Sequence, residues 1–184
     1  RVDYAELAVN NFYHDLNYFG SFSSGQSDAG MTEGFTDMLK YSSMTYNALM
    51  YIPNELAYGG PVLTANYVSV YLGTWSTVYD KIRRVNEALS NLKKYGTALS
   101  ADDASRLEAE IRFFRAFLYF DLLKRYKEVI IYDEDLTKIS KQAALSTEAA
   151  GWDFVEKDLL FAGQHLPVST NAQGRLTSGA AYGF

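Results

Sequence analysis

The amino-acid sequence predicts an all-α protein of stacked helix pairs, and three observations support this prediction. Apolar residues recur in steps of three and four along most of the 184 residues, which is the spacing of one helix face. No two segments have the pattern of paired β-strands. Hydrophobic residues make up 48% and charged residues 21% of the chain, a composition typical of folded domains, so we expect a single helical domain over residues 1–184.

The N-terminal part of the sequence predicts two helices and two connections. Apolar residues spaced by three and four over residues 2–19 indicate the first helix, and the glycine that follows ends it. Residues 21–30 are rich in Gly and Ser and indicate a loop. Residues 31–50 indicate a second helix that is weakened by Ser and Thr. Residues 51–64 contain Pro and Gly residues, which favour an irregular connection.

The C-terminal part predicts three long helices. The most regular apolar stripe covers residues 71–92, and a glycine at position 96 closes this helix. The next helix runs from Ser100 to about residue 126, and a short extended segment follows at 129–132. Residues 146–166 indicate a third long helix, which a proline stops. The tail indicates a turn and then the first turn of another helix.

Two local similarities indicate tetratricopeptide-like helix pairs. The segment WSTVYDKI (75–82) is similar to WDFVEKDL (152–159) in the spacing of its Trp and branched apolar residues. The pattern Ala116-x-x-x-Phe120 is similar to the second helix of a tetratricopeptide repeat. The spacing does not follow a strict 34-residue period, so we predict irregular tetratricopeptide-like pairs.

The helix EAEIRFFRAFLYFDLLKRY (108–126) has apolar residues on two opposite sides. A helical wheel groups Ile111 with two leucines on one side and Phe113 with Ala116, Phe120 and Leu123 on the other. Such a helix must pack against neighbours on both sides, as in a stacked helical array.

Two arginines lie on the strip between these faces. Arg112 can pair with Glu108 at a spacing of four residues, and Asp158 is our candidate partner for Arg115, because a buried guanidinium requires a carboxylate. We therefore interpret Glu108, Arg112, Arg115 and Asp158 as a structural seam between helices. An anion-binding site is the functional alternative.

Several classes of function lack their sequence signals. The formal net charge of −5 argues against a nucleic-acid partner. The absence of cysteine excludes thiolate metal sites and cysteine nucleophiles. His14 and His165 have no metal-ligand spacing, Gly59-Gly60 is not a phosphate loop, and no apolar stretch is long enough to span a membrane. We expect no metal, no cofactor and no catalytic residues.

Four segments resemble the SusD/RagB family in the expected order. AEIRFFRAFLYFDL (109–122) resembles the family's AEARFLRAYAYFDL segment. TWSTVYDKIRRVNEAL (74–89), WDFVEKDLLFAGQHLP (152–167) and GRLTSGAA (174–181) resemble three further family helices. The family's Gly-containing turn after the arginine helix is replaced here by residues 126–132.

The resemblance implies a SusD-like fold and a role in polysaccharide uptake. Members are lipoproteins at the cell surface of the outer membrane in Bacteroidetes-type bacteria. They bind oligosaccharides, less often peptides, deliver them to a TonB-dependent, SusC-like transporter, and are not enzymes. Because complete members are far longer and begin with a lipid-anchor signal, we expect this chain to be the N-terminal portion of such a protein.

Sugar-binding residues are expected in loops with exposed aromatic side chains. A sugar has apolar C–H faces and a rim of hydroxyls, so it requires a flat ring beside an amide or a carboxylate. The candidates are Tyr46, Tyr51, Asn54 and Tyr58 around the Pro/Gly connection, and Asp28 in the first loop. Alternatively, these tyrosines cap helix ends or face the transporter.

Two other functions stay open on the sequence. A helical-repeat adaptor that binds proteins without binding glycans would have the same stacked amphipathic helices. An α-helical glycoside hydrolase would need a pair of carboxylates, and the chain has 22 acidic residues.

Overall fold

The computed structural model describes residues 2–18, 75–133 and 143–184. These residues form five α-helices: α1 (Val2–Tyr18), α2 (Trp75–Tyr95), α3 (Ala101–Leu123), α4 (Glu148–His165) and α5 (Ser178–Gly183). A short 3-10 turn, Gly96–Ala98, follows α2. Within the described residues, the β-structure amounts to one isolated antiparallel bridge between Val129 and Ser146. The predicted all-α fold class is therefore confirmed.

The chain divides into two compact units. One consists of Arg1–Tyr13 together with Trp75–Phe184, and the other of His14–Thr74. The predicted second helix at 31–50 and the predicted connections at 21–30 and 51–64 lie outside the described residues. The single domain expected over residues 1–184 stays a prediction.

The N-cap of α3 is the residue that the sequence predicted, whereas the N-cap of α4 lies one residue after the predicted start. Ser100 is the N-cap of α3, and its hydroxyl accepts a hydrogen bond of 3.1 Å from the backbone N–H of Asp103. Thr147 is the N-cap of α4 and accepts from the N–H of Ala150 at 3.2 Å. Ser146, where the sequence predicted the start of α4, instead uses its N–H to bind the carbonyl of Val129 at 2.7 Å.

Helix α3 ends at Leu123, about three residues before the predicted end. The N–H groups of Arg125 and Tyr126 both bind the carbonyl of Leu122, at 3.0 and 2.8 Å, and this shared acceptor tightens the final turn. The chain then leaves the helix direction and reaches the extended segment that begins at Val129, which is fully buried.

Helix α3 lies at the centre of its unit and packs against both α2 and α4. Both predicted apolar faces are buried, since Ile111, Leu118, Phe113 and Ala116 are all at most 5% exposed. Phe114, which belongs to neither predicted face, is also buried because it packs against Phe12 and Tyr13 of α1. Helix α3 is therefore covered on three sides, and burying each large side chain contributes about 1.5–3 kcal/mol.

Candidate functional site

Arg115 is the centre of a buried polar network between α2, α3 and α4. Its Nε and Nη2 donate to the two carboxylate oxygens of Asp158 at 2.7 and 2.9 Å, which is a bidentate ion pair. Its Nη1 donates to Oδ1 of Asn86 at 2.9 Å. All three residues are at most 2% exposed. The guanidinium also lies 4.8 Å from the centre of the Phe154 ring, so this arginine is occupied by the protein's own groups.

Arg112 lies at the edge of the same network. Its side chain is 23% exposed and pairs with Glu108 at 2.7 Å and with Asp158 at 3.6 Å. The guanidinium stacks 4.1 Å from the centre of the Phe161 ring. The structure thus brings together all four residues of the seam: Glu108, Arg112, Arg115 and Asp158. The anion-binding alternative would have to displace Asp158 or Glu108 from these arginines.

The network continues into the extended segment after α3. Asn86 donates from Nδ2 to the carbonyl of Tyr132 at 2.9 Å. The Tyr79 hydroxyl accepts from the N–H of Ile130 at 2.7 Å and donates to its carbonyl at 3.0 Å. The Tyr119 hydroxyl accepts from the N–H of Tyr132 at 2.7 Å and donates to the carbonyl of Ile130 at 3.1 Å. Side chains of two helices thus satisfy backbone groups that a neighbouring strand would satisfy in a sheet.

The environment of these tyrosines keeps their hydroxyls protonated. Burial raises the pKa of Tyr79 to about 12, and the hydrogen bond with the backbone of Ile130 opposes part of this effect. Burial also raises the pKa of Tyr119, more strongly, because its side chain is fully enclosed. Both hydroxyls therefore keep the proton that they donate.

A second network surrounds Glu110, which is 2% exposed. Arg106 and Arg175 each pair with one of its carboxylate oxygens, at 2.9 and 2.7 Å. The Tyr13 hydroxyl donates to Glu110 at 2.7 Å, and Arg106 also pairs with Glu6 at 2.6 Å. This network ties α1 to α3 and to the turn before α5. Sequence reasoning missed it, although Arg175 belongs to the GRLTSGAA segment.

Opposing effects act on the charge of the two arginines in this network. Burial would lower the pKa of Arg106, but its hydrogen bond with Glu6 and the charge of Glu110 outweigh burial and raise the pKa. Burial would likewise lower the pKa of Arg175, but the hydrogen bond with Tyr13 and the charge of Glu110 outweigh burial and raise the pKa. Both guanidinium groups stay charged and hold the carboxylate of Glu110 between them.

An open cleft lies between the start of α2 and the turn that follows α3. Its volume is about 590 Å³, and its lining includes Trp75, Tyr126, Lys127, Glu128 and Glu148. The Trp75 and Tyr126 rings meet edge to face, with their centres 5.0 Å apart. Trp75 falls within the apolar stripe predicted over residues 71–92. It is half-buried and borders this cleft.

The described residues show neither a metal cluster nor a membrane-spanning helix. In residues 2–18, 75–133 and 143–184, no group of three or more His, Asp or Glu side chains is placed to hold a metal ion. Over the same residues, none of the helices combines the length and the apolar character needed to cross a membrane. The five candidate sugar-binding residues, Asp28, Tyr46, Tyr51, Asn54 and Tyr58, all lie outside the described residues.

Solved structures with the same fold share little sequence with this chain. A SusD superfamily protein from Bacteroides vulgatus has a TM-score of 0.74 and 22% identity, with 99% of this chain and 38% of that protein covered. A SusD-like protein from Bacteroides fragilis has a TM-score of 0.73 and 27% identity, with 97% and 32% covered. A laminarin-binding SusD-like protein has a TM-score of 0.71 and 21% identity, with 97% and 38% covered.

The chain spans about a third of the length of these relatives. No protein with a curated description matches the sequence. Residues 15–184 match the SusD-like family described as "Starch-binding associating with outer membrane". Since this match covers most of the chain and the fold agrees with it, the chain belongs to the SusD-like family.

Proposed function

We propose that this protein binds oligosaccharides at the surface of the outer membrane and delivers them to a partner TonB-dependent transporter. The observation that carries the proposal is the match of residues 15–184 to a family described as starch-binding and associated with the outer membrane. A structural relative that binds laminarin supports a glycan as the ligand. The buried ion pairs support a scaffold role for the helices, because the arginines are occupied by internal carboxylates.

Binding without catalysis fits the acidic residues that the structure buries. Asp158 and Glu110 each accept from arginine side chains at 2.7 Å, and Asp121, which is also buried, pairs with Arg125 at 3.2 Å. Such pairing leaves none of these carboxylates in the apolar setting that a general acid requires. We infer that the chain binds and transfers its ligand without cleaving it, and that in the complete protein a lipid anchor holds it at the membrane.

The test combines glycan titration with capture of a transporter. The purified chain should bind β-glucan or starch oligosaccharides in calorimetry, leave them uncleaved, and retain a TonB-dependent β-barrel from outer membranes, identified by mass spectrometry. Absence of both interactions would contradict the proposal. Capture of soluble proteins without glycan binding would favour the adaptor, and cleavage that one acidic substitution abolishes would favour the glycoside hydrolase.

The candidate ligand residues have a matched control. We propose that Tyr46, Tyr51, Asn54, Tyr58 and Asp28 contact the sugar. Tyr51→Ala and Tyr58→Ala should then each weaken glycan affinity by about tenfold, the loss expected for one stacked ring.

The control is Tyr95→Ala, which removes a tyrosine that is 66% exposed at the end of α2. It should leave glycan affinity unchanged. Equal affinities for all three variants would show that these two loop tyrosines do not contact the sugar.

A further inference from the structure

The cleft beside Trp75 is assembled from three separate stretches of the chain. Trp75 begins α2, Tyr126 lies in the turn after α3, and Glu148 begins α4. Its volume of about 590 Å³ lies within the range of clefts that hold small ligands. Tertiary packing thus brings an indole, a phenol and charged side chains to one concave surface.

The Trp75 ring is positioned before any ligand arrives. It contacts Tyr126 with ring centres 5.0 Å apart at 82°, and Tyr79 with ring centres 4.8 Å apart at 58°. Two hydrogen bonds between the Tyr79 hydroxyl and the backbone of Ile130 hold the Tyr79 ring in place. A side chain that is fixed by its neighbours and still partly exposed loses little conformational freedom when a ligand stacks on it.

The charges around the cleft disfavour an anionic ligand. Lys127 and Arg125 are the cations of the lining, and Glu128 and Glu148 are its carboxylates. Arg125 already binds the buried carboxylate of Asp121 at 3.2 Å. An added negative charge would meet two carboxylates and two cations, one of which, Arg125, is already paired with Asp121. A neutral ligand with many hydroxyls could instead hydrogen-bond with side chains of both signs.

We propose that this cleft is a sugar-binding subsite that stacks a neutral pyranose on Trp75 and orients its hydroxyls with Lys127, Glu128 and Glu148. The proposal rests on the proposed glycan-binding function and adds a location and a preference for uncharged over uronate-containing oligosaccharides. A ring face and nearby charged groups are the combination that the C–H faces and hydroxyl rim of a sugar require.

The two tryptophans of the chain allow a direct test. The probe is laminarihexaose, a neutral β-glucan. In Trp152→Phe, the fluorescence comes from Trp75 alone, and in Trp75→Phe it comes from Trp152 alone. Trp152 is a matched control because it is also half-buried but packs against Phe120 and does not line the cleft. The titration should change the emission of Trp152→Phe and leave that of Trp75→Phe constant.

Affinity and charge selectivity give a second, independent readout. Trp75→Ala should weaken laminarihexaose binding by about tenfold, and Trp152→Ala should leave it unchanged. The wild-type chain should bind hexagalacturonate roughly threefold to tenfold more weakly than laminarihexaose, and Glu148→Gln should narrow that gap. If circular dichroism shows that Trp75→Ala is poorly folded, the affinity of Trp75→Phe for laminarihexaose and the charge selectivity of Glu148→Gln still test the proposal.

The possible failures are distinguishable. If the wild-type chain binds laminarihexaose but Trp75 emission and the affinity of the Trp75 variants do not change, the subsite is refuted and the proposed function stands. If neither laminarihexaose nor starch oligosaccharides bind, both fail. If Trp75→Ala abolishes capture of the transporter and leaves glycan affinity unchanged, the cleft is a protein contact and the proposal is overturned.

Discussion

Arg115 and Asp158 are stable in the interior because each neutralises the other. Both residues are 2% exposed, and two parallel hydrogen bonds join them. The attraction within such a pair roughly offsets the cost of removing both charges from water, whereas one charge left alone is strongly unfavourable. The pair therefore specifies how α3 and α4 meet more than it adds net stability.

We expect Asp158→Ala to lower the free energy of unfolding by about 3–5 kcal/mol, because it leaves a buried guanidinium without its carboxylate. The double variant Arg115→Met/Asp158→Leu should recover most of this loss. Urea denaturation followed by circular dichroism gives both values.

The control for this prediction is the exposed ion pair between Arg83 and Glu87, whose side chains are 57% and 41% exposed. Glu87→Ala should cost less than about 1 kcal/mol. If Asp158→Ala lowers the free energy of unfolding by no more than Glu87→Ala does, the buried pair does not hold the helices together.

The buried tyrosines make stability depend on alkaline pH. The pKa of Tyr79 rises from 10.0 to about 12, as does that of Tyr13, with burial as the largest cause in both. The folded chain therefore binds more protons than the unfolded chain between these values, so their stabilising contribution is complete below pH 10 and is lost as pH rises to about 12.

Thermal unfolding temperatures measured between pH 9 and pH 12 should fall, and absorbance at 295 nm should show the tyrosinates appearing with unfolding. Tyr79→Phe should make the fall less steep, while the exposed Tyr95→Phe should not alter it. An identical fall in the Tyr79→Phe variant would contradict the prediction.

At the scale of elements, two glycines set how closely helix α4 packs. A Cβ on Gly151 would lie 2.6 Å from Cδ2 of Leu123 and 3.4 Å from Cγ2 of Val129. A Cβ on Gly163 would lie 2.6 Å from Cζ of Tyr182. The first contact is buried, whereas Tyr182 is 62% exposed and can turn away. The nearest contact has the same length at both sites, and Gly163 meets two further Tyr182 ring atoms at 2.8 Å, but Tyr182 has more freedom to move than the buried Leu123.

Gly151→Ala should destabilise the protein by about 1–3 kcal/mol, because overpacking in the core exceeds the gain of up to about 1 kcal/mol in helix propensity. Gly163→Ala should stay within about 1 kcal/mol of the wild type, since the helix gain offsets a small movement of Tyr182. Urea midpoints compare the two variants, and a larger loss for Gly163→Ala would contradict this reading of the packing.

At the scale of the molecule, the Glu110 network joins segments that are distant in the chain. Tyr13 reaches Glu110 across 97 residues, and Arg175 reaches it across 65. The Tyr13 hydroxyl also accepts from the N–H of Leu176 at 3.1 Å. One carboxylate thus fastens both the first helix and the turn before α5 to the central helix.

Glu110→Gln should lower stability by about 1–3 kcal/mol, because two arginines lose their shared carboxylate. In this variant, amide hydrogen exchange in α1, around Val9 and Phe12, should become faster than in the wild type, and the increase should be larger than in α4. Glu108→Gln is the control, since Glu108 pairs with Arg112 one turn away on the same helix, and it should leave exchange in α1 unchanged. If exchange in α1 is equally fast in both variants, Glu110 does not hold α1 against the central helix.

Much of the fold follows from spacings of four residues or fewer, which a sequence displays directly. The stripe of α2, the cap at Ser100 and the two apolar faces of α3 all arise from such spacings. The five candidate sugar residues lie outside the described residues, so their role stays a prediction. The cleft at Trp75 has no local signal, because its lining residues come from three stretches.

The sequence alone determined the helical class, several helix ends and the family, because periodicity, caps and motifs are local properties. It also indicated Asp158 as a partner of Arg115, since a buried guanidinium needs a carboxylate. Tertiary structure alone decided that Glu110 is buried, that Tyr79 and Tyr119 hold an extended segment, and that Trp75 borders a cleft. These features depend on which helix faces meet across many residues, and that is settled by the packing of the whole core.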